Sequence, residues 1–137
     1  MKTIKLINSV LTILVITLFT SCSSDGDSNI SQPEPIKSAK FEITGNYTGH
    51  FTVVYNDNVS GNTTVNVTAL PWNKTVDYPD SVIGIGIGGN TILGNAGIAG
   101  QTATLRIYNG TTVVASSTKI ADANGIISFQ TLAYVFP

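Results

Sequence analysis

One cysteine, one histidine and a charged fraction of 11% leave this 137-residue chain short of the groups on which most protein chemistry depends. A lone Cys22 excludes an internal disulfide framework and any cysteine-based zinc site, so the fold rests on its own core. A lone His50, with no Cys, Asp or Glu at a ligand spacing, supplies no metal centre, and no G-x-S-x-G elbow accompanies the many Ser and Thr residues. Paired carboxylates could come only from Glu42, Asp57, Asp77, Asp80 and Asp122, all at turn or solvent-facing positions. No cofactor or metal is implied, and an enzyme is not expected. The longest apolar run falls short of the roughly 20 residues a membrane helix needs. No window carries the period of an amphipathic helix.

What is present begins at the N-terminus. Lys2 and Lys5 form a positive start, Leu6 to Phe19 an apolar segment, and Ser21 a small residue before Cys22. This layout resembles a bacterial lipoprotein signal of the Bacteroidota type, with Phe19 where Leu is usual. The resemblance implies a signal peptide over 1–21, lipidation of Cys22, a membrane partner reached through the N-terminal lipid, and residence in the cell envelope. The outer membrane is the expected site, on its periplasmic or surface face. Acyl chains at about 0.8 kcal/mol per buried CH₂ make such an anchor effectively permanent.

With Lys2 and Lys5 removed, Lys37, Lys40, Lys74, Arg106 and Lys119 face eight acidic residues, a net charge of −3. No basic patch remains to neutralise phosphates, so nucleic acid is not an expected partner. Residues 22–38 read as a flexible linker dominated by Ser, Asp, Gly, Asn, Pro33 and Pro35. Asp25 and Asp27 beside Cys22 resemble a surface-export signal.

From residue 39 to 137 the period is two. Phe41 and Ile43 alternate with Lys40 and Glu42, and Phe51, Val53 and Tyr55 with Thr52 and Val54. Val65, Val67 and Ala69 form a third set, Ala103, Leu105 and Ile107 a fourth, and Ile127, Phe129, Thr131, Ala133 and Val135 the last. Each set places apolar side chains on one face of a strand. Turn residues at Asn56-Asp57-Asn58 with Gly61, at Asn109-Gly110 (a type I′ pattern) and at Asn124-Gly125 separate the runs. Eight runs result, at about 40–45, 49–56, 62–69, 74–77, 81–88, 101–108, 111–119 and 125–136. They predict an all-β, immunoglobulin-like antiparallel sandwich of seven to eight strands, with a small closed barrel as the alternative.

Gly84-Ile85-Gly86-Ile87-Gly88-Gly89 satisfies the spacing G-x-G-x-x-G, but no helix follows, as a dinucleotide site requires. It reads better as a strand with one oily face (Ile83, Ile85, Ile87) and one bare face of glycines, open to a neighbouring backbone or a ligand. The stretch 89–100 follows as a long loop whose Ile92, Leu93, Ala96 and Ile98 have no strand to join. It is either a binding loop or a flexible crossover that tucks Leu93 or Ile98 over the core.

Asp80-Ser81-Val82 resembles the Bacteroidota O-glycosylation motif and marks Ser81 as a candidate acceptor. Leu70-Pro71-Trp72-Asn73-Lys74 places a proline stop and a large ring at a corner, where Trp72 can cap the core. With Thr104 to Gly110 entering a hairpin, this segment resembles the MmpS-like family of small envelope β-sandwich proteins. That family implies a sandwich fold and partnership with an RND-type exporter, and no catalytic residues. Its mycobacterial members are anchored by a transmembrane helix, whereas this chain has a lipoprotein signal.

The expected function is that of a lipid-anchored, non-enzymatic binding or structural module at the cell surface, with an envelope protein or a glycan as ligand. The alternative is an accessory subunit of an RND-type exporter, with Trp72, Ile92, Leu93 and Ile98 as contacts. A polar face is expected from Thr64, Asn66 and Thr68 together with Thr102, Thr104 and Tyr108.

Overall fold

The computed structural model describes residues 36–137, an all-β unit of eight antiparallel strands in two four-stranded sheets. In chain order they are β1 (Ile36–Gly45), β2 (Phe51–Asn56), β3 (Asn62–Val67), β4 (Trp72–Pro79), β5 (Gly84–Thr91), β6 (Thr102–Asn109), β7 (Thr112–Ile120) and β8 (Ser128–Val135). One sheet runs β4-β1-β6-β7 and the other β3-β2-β5-β8. The β1–β4 and β2–β5 pairings reproduce the B–E and C–F pairs at the heart of an immunoglobulin-like sandwich. Here the β6–β7 hairpin stands beside β1, where strand A would lie, and β8 takes the place of G.

The period-two pattern builds the core directly. Phe41, Ile43, Phe51, Val53, Ile87, Leu105 and Ile107 are buried between the sheets. Burial of each such side chain stabilises the fold by roughly 1.5–3 kcal/mol. Aromatic rings tie the layers together, with Phe41 of one sheet 5.5 Å from Tyr55 of the other between centroids, while Phe51 and Phe129 pack within one sheet at 5.7 Å.

The last strand departs from its sequence pattern. Ile127 and Phe129 face inward as expected, but Thr131, Ala133 and Val135 point out, while Leu132, Tyr134 and Phe136 turn toward the core. The cause is a bulge. Ile87 pairs with Leu132 and Gly89 with Phe129, so Gln130 and Thr131 together stand opposite Gly88, and the extra residue reverses the phase.

Other boundaries shift as well. β1 begins at Ile36, so Lys37 and Ser38, read as the end of the linker, belong to the strand. Lys37 donates from its ammonium to the carbonyls of Asp80 (2.7 Å) and Val82 (3.1 Å). The β6–β7 turn centres on Gly110-Thr111 rather than Asn109-Gly110, because Asn109 still pairs with Thr112. Only Gly110 has a positive φ there (+59°), the requirement of a type II′ turn rather than type I′.

Gly89, Asn90 and Thr91 extend β5, and the loop that follows is Ile92–Gln101. It is pinned, not a loose crossover. Its Gly97 N–H donates to the Tyr47 hydroxyl (3.2 Å) and to the Gly125 carbonyl (3.0 Å). That same hydroxyl donates to the Gly125 carbonyl (2.8 Å) and lies 2.7 Å from the Thr91 hydroxyl. His50, inside the expected strand 49–56, instead precedes β2 half-buried and holds the loop through main-chain bonds to Asn95 and Ile92.

Candidate functional site

The residues singled out from sequence do not converge on one surface. Cys22 lies outside the described residues. Ser81 is exposed in the turn after β4, beside Asp80, whose carboxylate meets Lys37 at 3.4 Å. Trp72 opens β4 half-buried and packs inward, 6.2 Å from the Tyr55 ring. Ile92 is half-buried, whereas Leu93 and Ile98 are 87% and 66% exposed, so neither of the two is tucked over the core. Ile83, assigned to the oily face of β5, is likewise exposed, because β5 starts only at Gly84.

The proposed single polar face also divides. Thr64 and Asn66 lie on β3 in one sheet, while Thr102, Thr104 and Tyr108 lie on β6 in the other. Their outward sides are opposite surfaces of the sandwich.

On the β4-β1-β6-β7 surface, charge gathers and is consumed. The Glu42 carboxylate accepts from the Tyr108 hydroxyl at 2.8 Å, from Lys40 at 3.1 Å and from Arg106 at 3.5 Å. The Tyr108 hydroxyl chiefly, then Lys40 and Arg106, hold the Glu42 carboxyl below its usual range against the opposing effect of partial burial. The Lys40 ammonium also sits 4.0 Å from the Tyr108 ring centroid. A hollow of about 370 Å³ beside Lys40, Tyr108 and Thr75 lies on this surface, next to groups already paired with one another.

The β3-β2-β5-β8 surface is built differently. Strand register lines its outward residues into three rows. Asn66, Thr52, Asn90 and Ser128 form the first, Thr64, Val54, Gly88 and the Gln130–Thr131 bulge the second, and Asn62, Asn56, Gly86 and Ala133 the third. None of these residues is charged. Where the middle row crosses β5 there is no side chain, and a groove of about 410 Å³ opens along Gly86, Gly88 and Asn90, edged by Thr52, Asn56, Asn62 and Thr131.

Hydrogen bonds within the rows orient the amides. The Asn56 carbonyl oxygen accepts from the Gly86 N–H and its amide donates to Asn62 Oδ1, both at 2.6 Å. Asn66 Oδ1 accepts from the Thr52 hydroxyl (3.3 Å) and Asn90 Oδ1 from the Ser128 hydroxyl (2.5 Å). The carbonyls of Asn62, Asn66 and Asn90 are thus engaged, and among the described residues their NH₂ groups are left to donate outward. The surface is a neutral, donor-rich trough. No carboxylate, imidazole, amine or guanidinium lines it, so among the described residues it holds no strong acid or base to move a proton.

The glycines of β5 serve two purposes. Gly89 faces the core, where a Cβ would lie 3.0 Å from the Thr52 carbonyl oxygen and 3.2 Å from Val53 Cγ2, so packing demands its bareness. Gly88 faces out, has no positive φ, and the nearest neighbours of a Cβ there would be Thr131 and the Phe129 carbonyl, at ordinary contact distances of 3.4–3.5 Å. Neither backbone conformation nor packing requires glycine at 88.

The bare side of β5 was legible as alternating glycines, but the rim residues Asn56, Asn62, Asn90 and Thr131 were not. They come together only through strand pairing. Fold and surface together define an immunoglobulin-like sandwich with one self-paired charged surface and one neutral grooved surface. No family model matches the chain, and no curated protein or solved structure matches it.

Proposed function

We propose that this chain is a lipid-anchored, non-enzymatic protein of the bacterial envelope, acting at the cell surface as a binding module whose ligand is a neutral, oxygen-rich glycan. Cys22 carries the lipid, and the groove over Gly86 and Gly88 takes the ligand. The observation that supports this reading is the bareness of Gly88 in the groove, which neither a positive φ nor a crowded Cβ position requires. Two amide NH₂ donors on its rim, those of Asn62 and Asn90, without charge, suit the hydroxyl and ring oxygens of a neutral saccharide better than a phosphate or a carboxylate.

The test is retention of the detergent-solubilised full chain on immobilised neutral polysaccharides, alongside Gly88→Val. Retention that is lost in the variant, with the fold intact by circular dichroism, supports the reading. Equal retention of both proteins, or of neither, removes it. Mass spectrometry of the N-terminus checks the anchor, for which an unmodified end downstream of Cys22 is the contrary result.

A second reading, an accessory subunit of an RND-type exporter, is favoured by the exposure of Leu93 and Ile98 on a loop held in place by Tyr47. In-cell cross-linking that captures a transporter with the native chain, and loses it in Leu93→Ser/Ile98→Ser, would favour that reading over a glycan module.

A further inference from the structure

The four edge strands of the sandwich are not equally protected. An edge presents unpaired N–H and C=O groups, and proteins blunt such strands with charge, proline or bulges. β4 carries Lys74 and Asp77, ends in Pro79, and has the Asp77 carbonyl covered by the Asn58 amide. β7 is bulged where Val113 and Ala115 pair with Tyr108 and Ile107, and it carries Lys119. β8 is bulged at Gln130–Thr131. β3 has none of these devices. Its six residues Asn-Thr-Thr-Val-Asn-Val pair with β2 in unbroken register, without charge, proline or bulge. Among the described residues no strand lies on its other side.

The residues of β3 are also complementary to themselves. Set antiparallel to a second β3 about a two-fold axis at Thr64, the strand places Asn62 opposite Asn66, Thr63 opposite Val65, and Thr64 opposite Thr64. Every residue then meets one from its own side of the sheet, as a pleated ladder requires. Two β-branched pairs and a Thr–Thr pair are favourable cross-strand combinations. Asn62 and Asn66 each have an NH₂ group not spent within the sheet, and the pairing sets each beside the other copy's amide.

We propose that β3 is a self-association edge, and that two copies of this chain pair through it into one continuous eight-stranded sheet with isologous symmetry. The neutral surface then runs unbroken across both copies, and the Asn62 rim of each groove is continued by Asn66 of the second copy. The pairing stands independently of what the groove binds.

The test is oxidative cross-linking of the full chain in the cell envelope. Directly opposed residues of an antiparallel pair have Cβ atoms about 4.5–5.5 Å apart, within a small adjustment of disulfide geometry. Thr64→Cys therefore gives a covalent dimer with copper phenanthroline, in yield several-fold above Thr104→Cys on the opposite surface. The unsubstituted chain, with Cys22 alone, sets the background. Adding Asn62→Lys and Asn66→Lys to Thr64→Cys places like charges opposite one another and cuts the yield several-fold. A Thr64→Cys yield no greater than that of Thr104→Cys overturns the proposal, and so does a yield that the lysines leave unchanged.

Discussion

The two outer surfaces of this sandwich share a strand architecture and differ in how their polar groups are used. On the β4-β1-β6-β7 side, Glu42 gathers Tyr108, Lys40 and Arg106, so one carboxylate satisfies three donors and offsets one of the two positive charges beside it. On the β3-β2-β5-β8 side there is no charge to cancel, the Asn62, Asn66 and Asn90 amides are each held by one bond and that of Asn56 by two, and a bare strand runs between the rims. Polar residues on a sheet are therefore not interchangeable evidence of solubility. A surface that satisfies itself stabilises the fold, whereas one that leaves donors beside an open trough keeps hydrogen-bonding capacity unspent.

Adjacent glycines give the strongest way to break this comparison. Gly89→Val drives a side chain into the Thr52 carbonyl and Val53, and is expected to cost about 2–3 kcal/mol, read from the denaturant midpoint. Gly88→Val, one residue away, is expected to leave stability unchanged or raise it by up to about 1 kcal/mol, since a β-branched residue suits a strand better than glycine. A Gly88→Val protein as unstable as Gly89→Val would show that the trough is a packing requirement.

On the charged surface, Glu42→Ala removes the shared acceptor and leaves Lys40 beside Arg106. The expected loss is about 1–2 kcal/mol, reduced from the full value of a charged hydrogen bond because the cations keep some access to water. A change below the error of the measurement would mean that the network is decoration.

Acid sharpens the contrast further. The carboxyl of Glu42 lies below its ordinary range, and that of Asp57 is lowered to about 2 by the Thr63 hydroxyl and the Ser60 and Val59 N–H groups. A carboxyl whose pKa is depressed by folding adds stability above its unfolded pKa, near 4, and loses it as pH falls through the folded value. The urea midpoint is thus expected to be flat from pH 7 to 5 and to fall between about pH 4 and 2. Asp57→Asn should flatten the lower part of that fall, while Gly88→Val should leave its shape alone. The smallest effect belongs to Thr118→Ala, which deletes a 2.9 Å hydroxyl contact with Thr104 at an exposed position and should cost about 0.5 kcal/mol or less.

Much of this architecture could be read from alternation alone. Phe41 and Ile43, Phe51 to Tyr55, and Ala103 to Ile107 face inward as their period requires. The last strand could not, because Ile127-Phe129-Thr131 and Leu132-Tyr134-Phe136 are both valid alternations, and only the pairing with β5 decides where one yields to the other. Sheet membership was hidden for the same reason. Thr64 and Thr104 look alike along the chain, yet non-local pairing sends them to opposite surfaces. The groove was half visible, through Gly84, Gly86 and Gly88, but its rim draws on β2, β3 and β8. The exposure of Leu93 follows from the way Tyr47 and Gly125 hold the loop, a contact no local pattern announces.

The Tyr47 hydroxyl touches partners 44, 50 and 78 residues away along the chain. A knot of such long-range bonds cannot open one strand at a time. The loop after β5 therefore belongs to the same cooperative unit as the core, despite its exposed leucine. In amide hydrogen exchange, the Gly97 N–H should exchange with the slow rate of whole-domain opening rather than the fast rate of a surface loop. Tyr47→Phe should release it to fast exchange while the amides of β1 and β6 stay protected.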